Sequence, residues 1–113
     1  MLWIRRGLMI LLAASSPLLF AADCASLKNL QLANTGITLA EPVTGTLDIP
    51  DAGVSLASLP AFCRVAGELH PTSDSDIQFE VWLPAQGWNG RILGTGNGGF
   101  AGAIYYPQMA AYL

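Results

Sequence analysis

The sequence has 113 residues, of which 52% are hydrophobic and 12% charged, a length that allows one small domain at most. Five basic residues stand against eight acidic ones, for a formal net charge of −3. This balance, without any basic patch, gives almost no electrostatic support to nucleic-acid binding, so we expect no nucleic-acid partner.

Residues 1–22 have the order of a secretory signal peptide. Arg5 and Arg6 precede an apolar run that ends in small residues, which is the typical arrangement. The uninterrupted run is much shorter than the roughly 20 residues of a membrane-spanning helix. We therefore expect a cleaved signal, no stable membrane anchor and a secreted or periplasmic mature chain over residues 23–113. The paired arginines leave a twin-arginine route open.

Two cysteines remain in that mature chain, Cys24 and Cys63. Disulfides persist where exported chains mature, and a bridge that closes a loop of about 40 residues would stabilise the fold by roughly 4 kcal/mol on the chain-entropy model. Two free thiols are the alternative. Metal ligation is disfavoured because the two cysteines are far apart and the chain has a single histidine, His70.

Residues 27–59 predict short extended pieces separated by turns. Turn-forming residues recur at positions 34–36, 41–42 and 50–53, and no helical period persists between them. We expect this stretch to have little core of its own and to lie along the surface of something larger.

The next segment predicts an antiparallel hairpin. Residues 62–69 indicate a strand, and residues 71–76 a polar connection. The second strand alternates cleanly. One face carries Ile77, Phe79, Val81 and Leu83, and the other carries Gln78, Glu80 and Trp82.

Beyond the hairpin we expect a turn, a third strand and a helix. Residues 84–90 predict the turn, and residues 91–95 are apolar enough for a buried strand. A helix is expected within residues 103–113, beginning near Tyr106, because Pro107 is tolerated in a first turn. It has no C-cap signal before Leu113, which we interpret as the mark of a truncated frame or a fragment.

The run GTGNGGFAG, residues 94–102, is the most unusual feature of the chain. Gly94, Gly96 and Gly99 match the glycine pattern of dinucleotide-binding loops, but that pattern must lead directly into a helix and be followed by an acidic residue about 20 positions later. Neither condition is met here. An oxyanion loop of the α/β-hydrolase type and a flexible turn remain as alternatives of similar weight.

A resemblance to a known family favours the oxyanion loop over the flexible turn. The run FEVWLPAQGWNGRILGTGNGGFAGAI, residues 79–104, and the segment LPAFCRVAGEL around Cys63 resemble the N-terminal part of the tannase and feruloyl esterase family. The similarity covers essentially the whole mature chain. It implies an α/β fold: the N-terminal portion of an α/β-hydrolase core, with an antiparallel edge hairpin, a first core strand, an oxyanion loop and the start of a helix.

The resemblance also implies a function and its residues. Family members are secreted serine esterases that cleave aromatic esters such as ferulates and gallates. By the resemblance, residues Gly98, Gly99 and Phe100 form a loop beside the nucleophile, the Gly99 amide is an oxyanion donor, and Cys24 pairs with Cys63.

By the resemblance, the family's Ser, His and Asp triad would lie beyond Leu113. We therefore expect the 113 residues of this chain alone to be inactive. His70 is interpreted as a solvated loop residue rather than a base. No metal or cofactor is expected in this segment. The resemblance implies a lid domain elsewhere in family members, and it leaves room for a calcium site in that domain.

A rival interpretation is a small secreted β-rich binding module. It would use a surface patch of aromatic side chains: Trp82, Trp88, Phe100, Tyr105 and Tyr106. A sharp cooperative melt of the isolated chain would favour this module, whereas a fragment of an esterase should fold poorly alone and aggregate.

Overall fold

The computed structural model describes residues 23–113, and the predicted signal peptide, residues 1–22, lies outside the described residues. The elements follow in the order 3₁₀ turn (Cys24–Asn29), β1 (Thr35–Ile49), 3₁₀ turn (Pro50–Ala52), β2 (Val54–Leu69), β3 (Ile77–Pro84) and α1 (Tyr106–Ala111). The strands form one antiparallel sheet in the order β1-β2-β3. Over residues 23–113 the fold is thus an antiparallel sheet with few helices.

β1 and β2 form a long hairpin where the sequence predicted short pieces. The predicted turn at residues 41–42 is wrong, because Pro42 lies inside β1 opposite Cys63. β1 is an edge strand, where a residue without an N–H is tolerated. Gly45, with φ of 78°, accommodates a register irregularity in the same strand. The predicted turn at residues 50–53 is confirmed, and Gly53 closes it in the left-handed region.

The core lies on one side of this hairpin, which corrects a second expectation. The buried cluster comprises Val43, Leu47, Ile49, Leu59, Phe62 and Tyr106. Four of these residues fall within positions 27–59, the stretch that we expected to contribute little core. The long pairing of β1 with β2 is what gathers these scattered apolar residues onto one face.

The second hairpin, β2 with β3, is confirmed, and its register runs from Leu69 opposite Ile77 to Phe62 opposite Pro84. Its alternation is as predicted, but the packed face is the one that carries Trp82 and Glu80. The apolar side chains of the other face are partly exposed: Ile77 at 49%, Val81 at 43% and Leu83 at 41%.

The predicted first core strand at residues 91–95 is wrong. This segment has no regular structure, and Ile92 and Leu93 are 93% and 60% exposed. A strand is stabilised by ladder hydrogen bonds to a neighbour, and no strand within residues 23–113 pairs with this segment. The predicted helix is confirmed: α1 begins at Tyr106, with Pro107 in its first turn.

The Cys24–Cys63 disulfide is confirmed. It joins residues 39 positions apart, with their Cα atoms separated by 5.6 Å. Because Cys63 lies well inside β2, the bridge fixes the N-terminal 3₁₀ turn to the central strand of the sheet. No helix within residues 23–113 combines the length and apolar character that crossing a membrane requires.

Replacing Gly67 with alanine is expected to lower the free energy of unfolding by about 2 kcal/mol, because overpacking cannot be relieved at this position. A Cβ at Gly67 would lie 2.6 Å from the carbonyl oxygen of Gly36 and 2.6 Å from Cζ of Phe79. Gly36→Ala is the matched control, since nothing lies within 4 Å of its added Cβ. Urea unfolding measures both, and equal effects of the two substitutions would contradict the steric argument.

Candidate functional site

A compact turn precedes the glycine loop. The indole Nε1 of Trp88 donates to the Arg91 carbonyl at 2.9 Å, and the Arg91 amide donates to Oδ1 of Asn89 at 3.0 Å. Gly90 between them has φ of 77°, a value that favours glycine. The local sequence WNGR therefore defines this turn through its own side chains.

The glycine loop, residues 94–102, is open to solvent. Gly99 has φ of 65° and nothing lies within 4 Å of a Cβ built on it or on Gly98. The amides of Gly98, Gly99 and Phe100 donate to no backbone carbonyl within residues 23–113, and the Phe100 side chain is fully exposed. The side-chain amide of Asn97 donates to the Ala103 carbonyl and closes the loop. As far as the described part of the chain goes, the loop thus presents free N–H groups on a backbone that only glycine adopts easily at position 99.

A buried carboxylate connects the sheet to α1. The side chain of Glu80 is 3% exposed, and that of Arg64 is 13% exposed. Arg64 donates to it twice, from Nε at 3.0 Å and from Nη2 at 2.6 Å. Trp82 Nε1 donates to it at 2.9 Å and the Tyr106 hydroxyl at 3.0 Å. Four donors from β2, β3 and α1 therefore satisfy one carboxylate, which is the condition for burying a charge.

The pKa values of the partners reflect this arrangement. The hydrogen bond to Glu80 raises the pKa of Arg64, against the opposing effect of burial. Burial raises the pKa of Tyr106, and its hydrogen bond to Glu80 raises that pKa further. Arg64 is therefore charged and Tyr106 protonated throughout the neutral range. Glu41 makes a longer contact with Arg64, 3.6 Å from Nη1, and its side chain is 45% exposed.

The sequence reasoning missed this cluster. Its one available signal was the alternation of β3, which places Glu80 and Trp82 on the same face. A charged residue that shares a face with tryptophan is a candidate for burial with a partner. The partner, Arg64, lies opposite Trp82 in the register, and that register is not visible in the sequence.

The five-residue aromatic patch of the binding-module interpretation is not assembled. The ring centroid of Trp82 lies 4.6 Å from that of Phe62 and 6.3 Å from that of Tyr106, so two of the five rings pack in or against the core cluster. Trp88, Phe100 and Tyr105 are exposed. An open groove, with apolar side chains, lies next to the start of the glycine loop. Among its lining residues are Val81, Leu83, Trp88, Ile92, Met109 and Tyr112.

His70 lies in another part of the fold, at the β2–β3 connection. Its Nδ1 donates to the Ser75 carbonyl at 2.6 Å, and its Nε2 lies 3.5 Å from a carboxylate oxygen of Glu68. The hydrogen bond to Ser75 raises the pKa of His70. Glu68, His70 and Asp76 each bring one possible metal-ligand atom to within 4.8 Å of the others. The His70 side chain is half exposed, as expected for a solvated loop residue.

Comparison with known proteins identifies the class. Residues 63–111, which include the Glu80 cluster and the glycine loop, match the family model for tannase and feruloyl esterase. The chain belongs to this family, as the resemblance of its sequence implied. No solved structure matches the chain.

The similar proteins are named as esterases. The chain is 47% identical over 109 residues to an uncharacterized esterase of Xanthomonas campestris pv. campestris, covering 92% of this chain and 19% of that protein. It is 35% identical over 119 residues to a probable feruloyl esterase B of Aspergillus clavatus, covering 94% and 22%. It is also 35% identical over 99 residues to feruloyl esterase C of Talaromyces stipitatus, covering 80% and 18%. The chain therefore spans about a fifth of the length of these relatives.

Proposed function

We propose that residues 23–113 form the N-terminal part of the α/β-hydrolase core of a serine carboxylic ester hydrolase that acts on aromatic esters of the feruloyl or galloyl type. The observation that carries the proposal is the glycine loop. It presents amides at residues 98–100 that are unpaired within residues 23–113, on a left-handed Gly99, in the segment that matches the esterase family.

In this proposal the Gly99 amide stabilises the oxyanion, and Gly98 and Phe100 shape the loop around it. Attack by a serine Oγ on the ester carbonyl converts that carbonyl oxygen into an alkoxide. Amide donors at 2.7–3.1 Å from the alkoxide lower the barrier, and one such donor contributes about 3–4 kcal/mol. The alcohol then leaves, and water hydrolyses the acyl-enzyme. The serine, histidine and acidic residue come from polypeptide outside residues 23–113.

Export is part of the same proposal. The Cys24–Cys63 disulfide is a feature of proteins that mature in an oxidising compartment, in keeping with a secreted or periplasmic enzyme. The apolar groove beside the loop supports an aromatic acyl group as the substrate moiety, because ligand sites are lined mainly by apolar side chains.

A chimera tests the function. The segment of this chain that aligns with the Xanthomonas campestris esterase replaces its counterpart in that esterase. Hydrolysis of ethyl ferulate and of ethyl gallate by the chimera is then measured. Activity of the chimera close to that of the parent supports the proposal. A folded chimera that is inactive while the parent is active contradicts it, and a parent that cleaves neither ester contradicts the aromatic substrate class.

Within an active chimera, Gly99→Ala is expected to lower kcat/KM about 100- to 1,000-fold, the usual effect of losing one oxyanion donor. An alanine at φ of 65° is strained and shifts the amide away from its position. Gly96→Ala is the matched control, because Gly96 lies in the same loop without a positive φ and has nothing within 4 Å of an added Cβ. If both variants retained full kcat/KM, the role of Gly99 would be refuted.

A further inference from the structure

α1 cannot hold its own position. It has six residues, far fewer than an isolated helix needs to be stable in water. Its place on the sheet therefore depends on tertiary contacts, which include the packing of Tyr106, Met109 and Ala110 in and against the core cluster. Within residues 23–113, the Tyr106 hydroxyl bound to Glu80 at 3.0 Å makes the only hydrogen bond from the helix to the sheet.

The Glu80 carboxylate is a rigidly held acceptor for that hydrogen bond. Its two oxygens are held by Arg64 from β2 and by Trp82 from β3, so the carboxylate is oriented independently of α1. A bidentate arginine contact fixes direction as well as distance. The carboxylate thus offers the Tyr106 hydroxyl a rigid acceptor in a buried setting.

The glycine loop is joined to the same helix at short range. Asn97 donates to the Ala103 carbonyl, and Ala103 precedes Tyr106 by three residues. Gly98, Gly99 and Phe100 lie inside the turn that this bond closes. The loop is thus joined to α1 by this hydrogen bond and by the three-residue step from Ala103 to Tyr106.

We propose that Glu80 and Tyr106 are positioning residues for the glycine loop: the buried carboxylate holds α1 by the Tyr106 hydroxyl, and α1 in turn holds the oxyanion amides. The catalytic consequence rests on the function proposed above. The structural part concerns only the placement of the loop and stands independently of any activity.

Tyr106→Phe tests the structural part, since it removes the hydroxyl and keeps the ring that packs on Trp82. In ¹⁵N relaxation of the full chain, we expect amide order parameters in residues 98–103 to fall from about 0.85 to below about 0.6. Gln108 and Met109 donate to the Tyr105 carbonyl at the start of the helix, and Tyr112 donates to the Met109 carbonyl at its end. Exchange of these three amides should become roughly tenfold faster. Order parameters in β1 and β2 should not change.

Glu41→Gln is the matched control, because Glu41 is also a carboxylate partner of Arg64 but makes only a 3.6 Å, half-exposed contact. Glu41→Gln should leave the amide order parameters of residues 98–103 unchanged. The proposal would be overturned if the order parameters of the unsubstituted loop were already below about 0.6. It would also be overturned if Tyr106→Phe left the loop order parameters unchanged, or lowered those of the whole sheet equally. Glu80→Leu combined with Arg64→Met is a second variant, because it removes the partner of the Tyr106 hydroxyl without leaving Arg64 unpaired, and it should mobilise the same residues.

Kinetics of the active chimera test the catalytic part. Tyr106→Phe should lower kcat roughly tenfold, as expected for a displaced oxyanion donor, and should leave KM within about twofold, whereas Glu41→Gln should alter neither. An unchanged kcat in Tyr106→Phe would overturn the positioning role. If the chimera hydrolyses no ester while the loop still loosens in Tyr106→Phe, the proposed function fails and the structural part stands.

Discussion

Replacing Arg64 with methionine is expected to lower the free energy of unfolding by about 3–5 kcal/mol, the cost of removing one partner of a buried ion pair. The Glu80 side chain is 3% exposed and receives two of its four hydrogen bonds from Arg64. Methionine fills similar space but donates nothing, so the carboxylate is left buried without its counter-charge. Urea unfolding at neutral pH measures the loss.

Two further variants separate charge from packing. Arg64→Met combined with Glu80→Gln should recover much of the lost stability, because the neutral amide can accept from Trp82 Nε1 with its oxygen and donate to the Tyr106 hydroxyl with its NH2. Glu41→Gln should change stability by at most about 1 kcal/mol, as is usual for exposed pairs. The buried-charge explanation would be wrong if the double variant were as unstable as Arg64→Met alone.

Phe62→Ala is expected to cost about 3–5 kcal/mol, the range found when a large buried aromatic side chain is truncated. Phe62 is 2% exposed, the only fully buried large side chain among the described residues. It lies in β2 opposite Val43 on one side and Pro84 on the other, and its ring centroid is 4.6 Å from that of Trp82. The cavity would open where both hairpins meet.

Ile92→Ala is the comparison for this truncation, since Ile92 is 93% exposed and its loss should change stability by no more than about 0.5 kcal/mol. Thermal or urea unfolding of both variants gives the contrast. A small effect of Phe62→Ala would mean that the sheet relaxes into the cavity and that the two hairpins are less rigidly packed than their contacts indicate.

The sequence predicted those elements that local chemistry determines. β3 followed from strict alternation, the turn at residues 50–53 from proline, aspartate and glycine, and the start of α1 from Pro107. Each of these signals lies within a few residues of the element that it defines. The glycine loop was found for the same reason.

The elements that depend on distant residues were missed. Pro42 indicates a turn locally, yet pairing with β2 holds it inside β1. The converse error occurred at residues 91–95, whose apolar composition predicted a strand that finds no partner among the described residues. Strand formation is decided by the neighbour as well as by the residues of the strand itself.

The candidate site was likewise predicted from the sequence only in part. The left-handed Gly99 and the open amides lie in a motif that could be recognised in the sequence. The cluster around Glu80 could not be recognised, because its donors come from positions 64, 82 and 106 and meet only after two hairpins and a helix are in place. Resemblance to a family singled out the loop, whereas only the structure revealed the cluster around Glu80.

The placement of the disulfide has a topological consequence. The covalent ring closed by Cys24 and Cys63 contains all of β1 and the first part of β2, so β1 has no free end inside the oxidised protein. Tension applied at Asp23 passes directly through the bridge to the central strand. The edge strand is thereby protected from being peeled away from its N-terminal end, and it can separate from β2 only by opening as a tethered loop.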